Sequence, residues 1–189
     1  HSIIMLKIQN TLIITQKNIT QKLIDDIQMS DILNIIAPFA TSVEDEAFYK
    51  QTKIRYLYAP MLTEVGVKSF WSCKNIRYVV GKNLKIIGAN AFECDYNLQK
   101  IEIQNVETLN QNILNYCGLQ SMVCNCTILS DQLNFLNERH LFEVRFAGQI
   151  NQFWHNHEAK NVNPVDFERC LIDNRYFLGQ ISGVVQAQL

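Results

Sequence analysis

A repeat with a period of 22 runs through the middle of this chain and limits what it can fold into. Phe48, Phe70 and Phe92 recur at that spacing, and Leu114 falls one period further on. Val43, Val65, Ile87 and Leu109 precede these positions by five residues. Ile54, Ile76 and Leu98 follow each Phe by six, whereas Leu119 follows Leu114 by five, a single deletion in that unit. Three residues later come Leu57, Val79, Ile101 and Met122. Leu141, Val144 and Phe146 repeat the register of Leu119, Met122 and Cys124. Upstream, Asn34-Ile35-Ile36-Ala37-Pro38 matches Tyr56-Leu57-Tyr58-Ala59-Pro60. The pattern predicts six strands, starting near residues 32, 54, 76, 98, 119 and 141.

Within each predicted strand, apolar residues recur two apart, as in Leu57 and Ala59 or Ile101 and Ile103, so one face points inward. A unit this short cannot bury that face alone, but stacked copies share a continuous core. The strands are therefore expected to form a parallel sheet with about 4.8 Å between neighbours. The Phe column is expected to stack inside the opposite wall. Gly66 and Gly88, each one residue after Val65 and Ile87, mark tight bends.

The stretch Ile86-Ile87-Gly88-Ala89-Asn90-Ala91-Phe92-Glu93-Cys94-Asp95-Tyr96-Asn97-Leu98-Gln99-Lys100-Ile101-Glu102-Ile103 resembles the repeat of the BspA-like leucine-rich-repeat family. Val65 to Val79 resembles it too, and the resemblance covers about residues 32–146. Two departures stand out: Cys94 follows its Phe by two residues where the family places Cys at three, and the unit from Leu109 lacks the Gly and the Ala-Phe pair. The resemblance implies a right-handed leucine-rich-repeat solenoid with a parallel sheet on the concave face. Short helical, 3-10 or extended segments are expected on the convex side. It also implies adhesion or partner binding, and it brings no catalytic residues.

Composition agrees with a binding role and removes several others. Apolar residues make up 48% of the 189 and charged residues 19%, enough for a large core and too apolar for intrinsic disorder. A net charge of −1 argues against holding nucleic acid through phosphate neutralisation. No apolar run approaches the roughly 20 residues of a membrane helix. No cofactor, metal or small-molecule substrate is expected; the partner is expected to be a protein.

Six cysteines occur, at 73, 94, 117, 124, 126 and 170. Cys73 and Cys117 share one slot, three residues after the Phe column, with Gln51 and Asp95 in the same slot of neighbouring units. A cysteine recurring in a repeat reads as a small, buried core residue. Cys124 and Cys126, with His155 and His157, match no zinc spacing. A Cys–His nucleophile pair is the enzyme alternative, and no flanking motif singles one out. Packed free thiols favour a reducing interior over the cell surface, with an adhesin binding host or matrix protein as the alternative.

Binding is expected on the outward-pointing strand residues. One outward column reads Asn34, Tyr56, Tyr78, Lys100, Ser121, Glu143, and the other Ile36, Tyr58, Val80, Glu102, Val123, Arg145. The candidate contact residues are Tyr56, Tyr58, Tyr78, Ile36, Val80, Lys100 and Glu102, because tyrosine offers large, rigid, amphipathic contact area. Strand propensity alone also favours Tyr and Val.

Residues 32–146 are read as the array, with caps over 1–31 and 147–189. Ile3–Ile8 and Leu12–Ile14 are expected to form a hairpin, followed by a short helix from Thr20 that carries Leu23, Ile24 and Ile27. Asn163-Pro164 predicts a C-terminal capping helix near 164–178.

Overall fold

The computed structural model describes residues 5–107, 110 and 112–119, and beyond them the backbone of three strands. The chain divides into units His1–His155 and Asn156–Leu189, and every described residue belongs to the first. The expected helix near 164–178, and 147–162 apart from one short strand, lie outside the described residues.

Inward apolar positions set two residues apart give short strands, and the constant period sets each directly over the last. Strands β4 (Asn34–Ile36), β6 (Tyr56–Tyr58), β8 (Tyr78–Val80) and β10 (Lys100–Ile101) pair in parallel, with Ile35 opposite Leu57, Leu57 opposite Val79, and Val79 opposite Ile101. These four inward residues are buried. A second parallel sheet forms from β5 (Ser42–Val43), β7 (Glu64–Val65) and β9 (Ile86–Ile87), with Val43, Val65 and Ile87 inward. The segments facing the main sheet are thus extended. The result is a parallel-strand solenoid of about four turns.

The coil starts earlier than the period of 22 alone indicates. The hairpin forms as expected: β1 (Met5–Ile8) pairs antiparallel with β2 (Thr11–Ile14) around Gln9, whose φ is 53°. But β2 also pairs in parallel with β4, and β3 (Asn18–Ile19) with β5. Thr11 lies opposite Asn34 and Asn18 opposite Ser42, so this first turn is longer than the others by one residue in one sheet and two in the other. Leu12 and Ile19 thereby come to face Ile35 and Val43. The extra length holds α1 (Gln21–Asp25) and a 3-10 turn at Met29–Asp31. Thr20 caps α1, its hydroxyl accepting from the Leu23 N–H at 3.0 Å. Ile24 is buried, and Leu23 and Ile27 pack against the core.

The Phe wall satisfies its backbone in two alternating ways. The N–H groups of Glu46, Phe48 and Lys50 donate to Val67, Ser69 and Trp71 in the next turn of the coil, while those of Ala47, Tyr49 and Gln51 close turns on Glu44, Glu46 and Phe48. One turn on, Lys68, Phe70 and Ser72 donate to Ala89, Ala91 and Glu93. This winding requires left-handed residues at fixed places: Glu46, Lys68, Asn90 and Asn112 in one column, and Lys50, Ser72, Cys94 and Tyr116 in another. Gly66 and Gly88 serve a different need. A Cβ on Gly88 would sit 2.5 Å from the Val67 nitrogen, and one on Gly66 2.5 Å from the Asp45 nitrogen. Glycine is there so that successive turns can approach.

Phe48, Phe70 and Phe92 stack in the core with centroids 5.0 and 5.2 Å apart and nearly parallel rings. The six-stranded sheet ends at β10, and β11 (Ser121–Cys124) begins another with β12 (Glu143–Phe146) and β13 (Gln149–Asn151). The break coincides with the one-residue deletion between Leu114 and Leu119. β11 and β12 pair in parallel, Ser121 opposite Glu143, so the regular offset resumes.

The cysteine slot is core, as expected. The Cys73 thiol donates to the Phe48 carbonyl at 3.1 Å and the Cys117 thiol to the Phe92 carbonyl at 3.0 Å. Between them Asp95 is fully buried, and neither carboxyl oxygen has a hydrogen-bond partner. Burial pushes its pKa well above the usual carboxylate range.

Two outcomes are expected. Phe70→Ala empties the middle of the ring stack and is expected to cost about 3–5 kcal/mol in urea unfolding; a loss under about 1 kcal/mol would show the column is not the core. Because Asp95 keeps its proton in the folded chain and releases it near pH 4 when unfolded, its contribution to stability falls as pH rises above that value, by up to about 1.4 kcal/mol per unit, until the folded carboxyl itself ionises. Asp95→Cys restores the recurring residue, so its stability gain over the parent is expected to grow between pH 4 and 7. A gain independent of pH would refute the neutral carboxyl.

Candidate functional site

The parallel register builds the candidate surface directly, because residues one period apart face the same way on adjacent strands. Tyr56 lies opposite Tyr78 and Tyr58 opposite Val80. The Tyr56 and Tyr78 rings stack with centroids 5.6 Å apart and planes within 9°. Tyr78 donates its hydroxyl to Gln99 Oε1 at 2.8 Å, which holds the second ring in place. Lys100 sits opposite Tyr78 on the next strand. Below the stack, Asn34 Nδ2 donates to Thr11 Oγ1 at 3.3 Å. The first column is therefore polar, then aromatic, then cationic.

The second column is an apolar row across five strands. Leu6 lies opposite Ile13, Ile13 opposite Ile36, Ile36 opposite Tyr58 and Tyr58 opposite Val80. Tyr58, Val80 and Glu102 are half-buried, as are Tyr56, Tyr78 and Lys100. Ile36 differs: at 6% exposure it offers little contact area. Its neighbours Ile13 and Tyr58 cover it from both sides, and the short spacing of strands leaves no gap between them. Ile36 supports the face instead of lining it. Glu102 has one carboxylate oxygen buried without a hydrogen-bond partner.

Phe39 and Met61 are exposed in the turns after β4 and β6, and they escape notice in the strand pattern. They are 52% and 51% exposed, stand one period apart, and each follows its strand by three residues. The match of Asn34–Pro38 to Tyr56–Pro60 stops one residue short of them. Two large apolar residues in a slot outside the strands were the available signal.

A second aromatic pair lies on the Phe wall, facing outward. Tyr49 and Trp71 stack at 5.0 Å with planes 11° apart, and Lys50 Nζ stands 4.9 and 5.3 Å from their centroids. Trp71 Nε1 donates to Glu93 Oε2 at 3.1 Å. The facing ring surfaces and the indole N–H are already engaged within the chain.

The thiols are placed poorly for nucleophilic chemistry. Cys73 is buried, and burial pushes its pKa well up. Burial also raises half-buried Cys94. An activated thiol needs the opposite shift. Cys126, Cys170 and all four histidines lie outside the described residues, as do the side chains of Cys124 and of the outward residues from Ser121 onward. Among the described residues no His, Cys, Asp or Glu side chains gather as a metal site. No described helix is long and apolar enough to cross a membrane.

Comparison with curated proteins gives no match. Comparison with protein families matches residues 9–142 to six copies of the BspA type leucine rich repeat region. That span starts within the β1–β2 hairpin, in keeping with the parallel pairing of β2 with β4. Repeat proteins of this kind often mediate protein interaction. With the match covering well over half of the 189 residues, the chain belongs to the BspA-type leucine-rich-repeat family.

Proposed function

We propose that this chain is a non-catalytic protein-interaction module that binds a macromolecular partner through the strand-lined face. The observation that carries the reading is the Tyr56–Tyr78 stack beside the apolar row of Tyr58 and Val80, all half-exposed on one rigid sheet. Rings held in place lose little conformational entropy on binding, and half-exposed tyrosines still have apolar area to bury. Phe39 and Met61 enlarge the apolar area, while Lys100 and Glu102 supply polar contacts at the margin. Ile36 holds Tyr58 from below.

Two settings fit such a module: an intracellular scaffold, or a cell-surface adhesin that binds host or matrix protein. Cys73, Cys94 and Cys117 are free, and packed free thiols favour a reducing compartment. A cysteine-dependent hydrolase is the reading of another class, and the raised thiols at 73 and 94 count against it.

Tyr56→Ser combined with Tyr78→Ser is expected to abolish capture of partners by the immobilised chain while its circular dichroism stays unchanged. Undiminished capture by the folded double variant would reject the tyrosine face. Iodoacetamide at neutral pH is expected to label Cys73 and Cys117 in the folded chain far more slowly than a free thiol, since both are buried. One cysteine reacting faster than free thiol would overturn the non-catalytic reading.

A further inference from the structure

The tyrosine stack is flanked by a basic corner that nothing within the described chain neutralises. Residues leading from the Phe wall into β6 and β8 include Lys53, Arg55, Lys74 and Arg77, all exposed, with no acid between Lys50 and Tyr58 or between Ser72 and Val80. Arg55 and Arg77 immediately precede Tyr56 and Tyr78. They stand one above the other, the Arg77 N–H donating to the Arg55 carbonyl at 2.8 Å. Successive turns are about 4.8 Å apart, so this is a like-charge column, which is destabilising in the free chain. Asp31, one period before Lys53, is taken by Lys7 at 2.8 Å, the one ion pair among the described residues.

Asp45 and Glu44 lie at another corner and have partners of their own. Asp45 Oδ1 accepts from the Val67 N–H at 2.7 Å, and Glu44 accepts from Asn18 Nδ2 at 3.2 Å. The exposed bases of this corner are thus confined to the two turns that carry Arg55 and Arg77.

Resting on the proposed binding face, we propose that its partner presents an acidic polypeptide segment, which lies across Arg55, Arg77, Lys53 and Lys74 beside the tyrosine stack. Carboxylates at this corner relieve the Arg–Arg repulsion, and a guanidinium can take a carboxylate with two parallel hydrogen bonds. A single-stranded nucleic acid is the other polyanion to weigh, and two observations disfavour it. Bases bind by stacking on open aromatic faces, but Tyr56 and Tyr78 face each other at 5.6 Å. The patch is also short, because the next turn places Asn97 and Gln99 where Asn75 and Arg77 stand.

The test is fluorescence anisotropy with a labelled Glu-Ser repeat peptide, its Lys-Ser counterpart and an oligouridylate of equal length, against the whole chain. Binding of the Glu-Ser peptide is expected, weakened by salt and weakened roughly 10-fold or more by Arg55→Glu with Arg77→Glu. Arg55→Gln with Arg77→Gln is expected to fall between, and Lys85→Glu, exposed and in the approach to β9, to change little. Equal binding by parent and Arg double variants, or tighter binding of oligouridylate than of the Glu-Ser peptide, would overturn the proposal. Its failure is separable from that of the binding face. If the Arg variants leave peptide binding intact while Tyr56→Ser with Tyr78→Ser still abolishes partner capture, the face stands and its acidic partner does not.

Discussion

Backbone hydrogen bonding from one turn of the coil to the next is the interaction on which everything else in this structure depends. It runs along two parallel sheets and, between them, along the Phe wall, where alternate N–H groups reach the following turn. In the regular turns equal length keeps this ladder in register, since a slip of one residue in pairing sends inward side chains out, and the longer first turn takes up its extra residues around α1. The constant period is the record of that requirement. Where the length changes by one, after Leu114, the six-stranded sheet stops and another begins.

Equal turns also convert single residues into columns. Phenylalanine at one slot becomes a ring stack through the core, and tyrosine at another becomes a stack on the surface. The same geometry works against charge: arginine repeated at one exposed slot becomes a repulsive pair. Asparagine repeated at corners becomes a ladder, as when Asn83 Nδ2 reaches the Pro60 carbonyl and Asn105 Nδ2 the Lys82 carbonyl at 2.8 and 2.7 Å. A solenoid magnifies whatever chemistry a slot carries, so function concentrates in the slots that face solvent.

Departures from the repeat carry physical consequences for the same reason. In the slot of Cys73 and Cys117 a thiol can give its proton to a carbonyl, but Asp95 finds no partner there. Burial consequently raises its pKa, a cost that the neighbouring units avoid. The first turn departs differently, lengthened by one or two residues to hold α1, whose Ile24 fills the core.

Spacing along the chain is enough to set the coil: which residues face inward, which strands stack, where the rings run and where the deletion falls. These are legible in the sequence because burial acts on each apolar side chain at its own slot. Folding settled what spacing alone does not express. It placed β2 in the sheet despite an irregular offset, since pairing depends on where a strand ends up and not on how many residues lead to it. It buried Ile36, an outward residue by alternation, because neighbours on both sides covered it. It exposed Phe39 and Met61 in the turns that follow β4 and β6, and left Arg55 over Arg77 without a counter-charge among the described residues. Exposure and neutralisation are properties of neighbours across turns, and only the folded chain sets those neighbours.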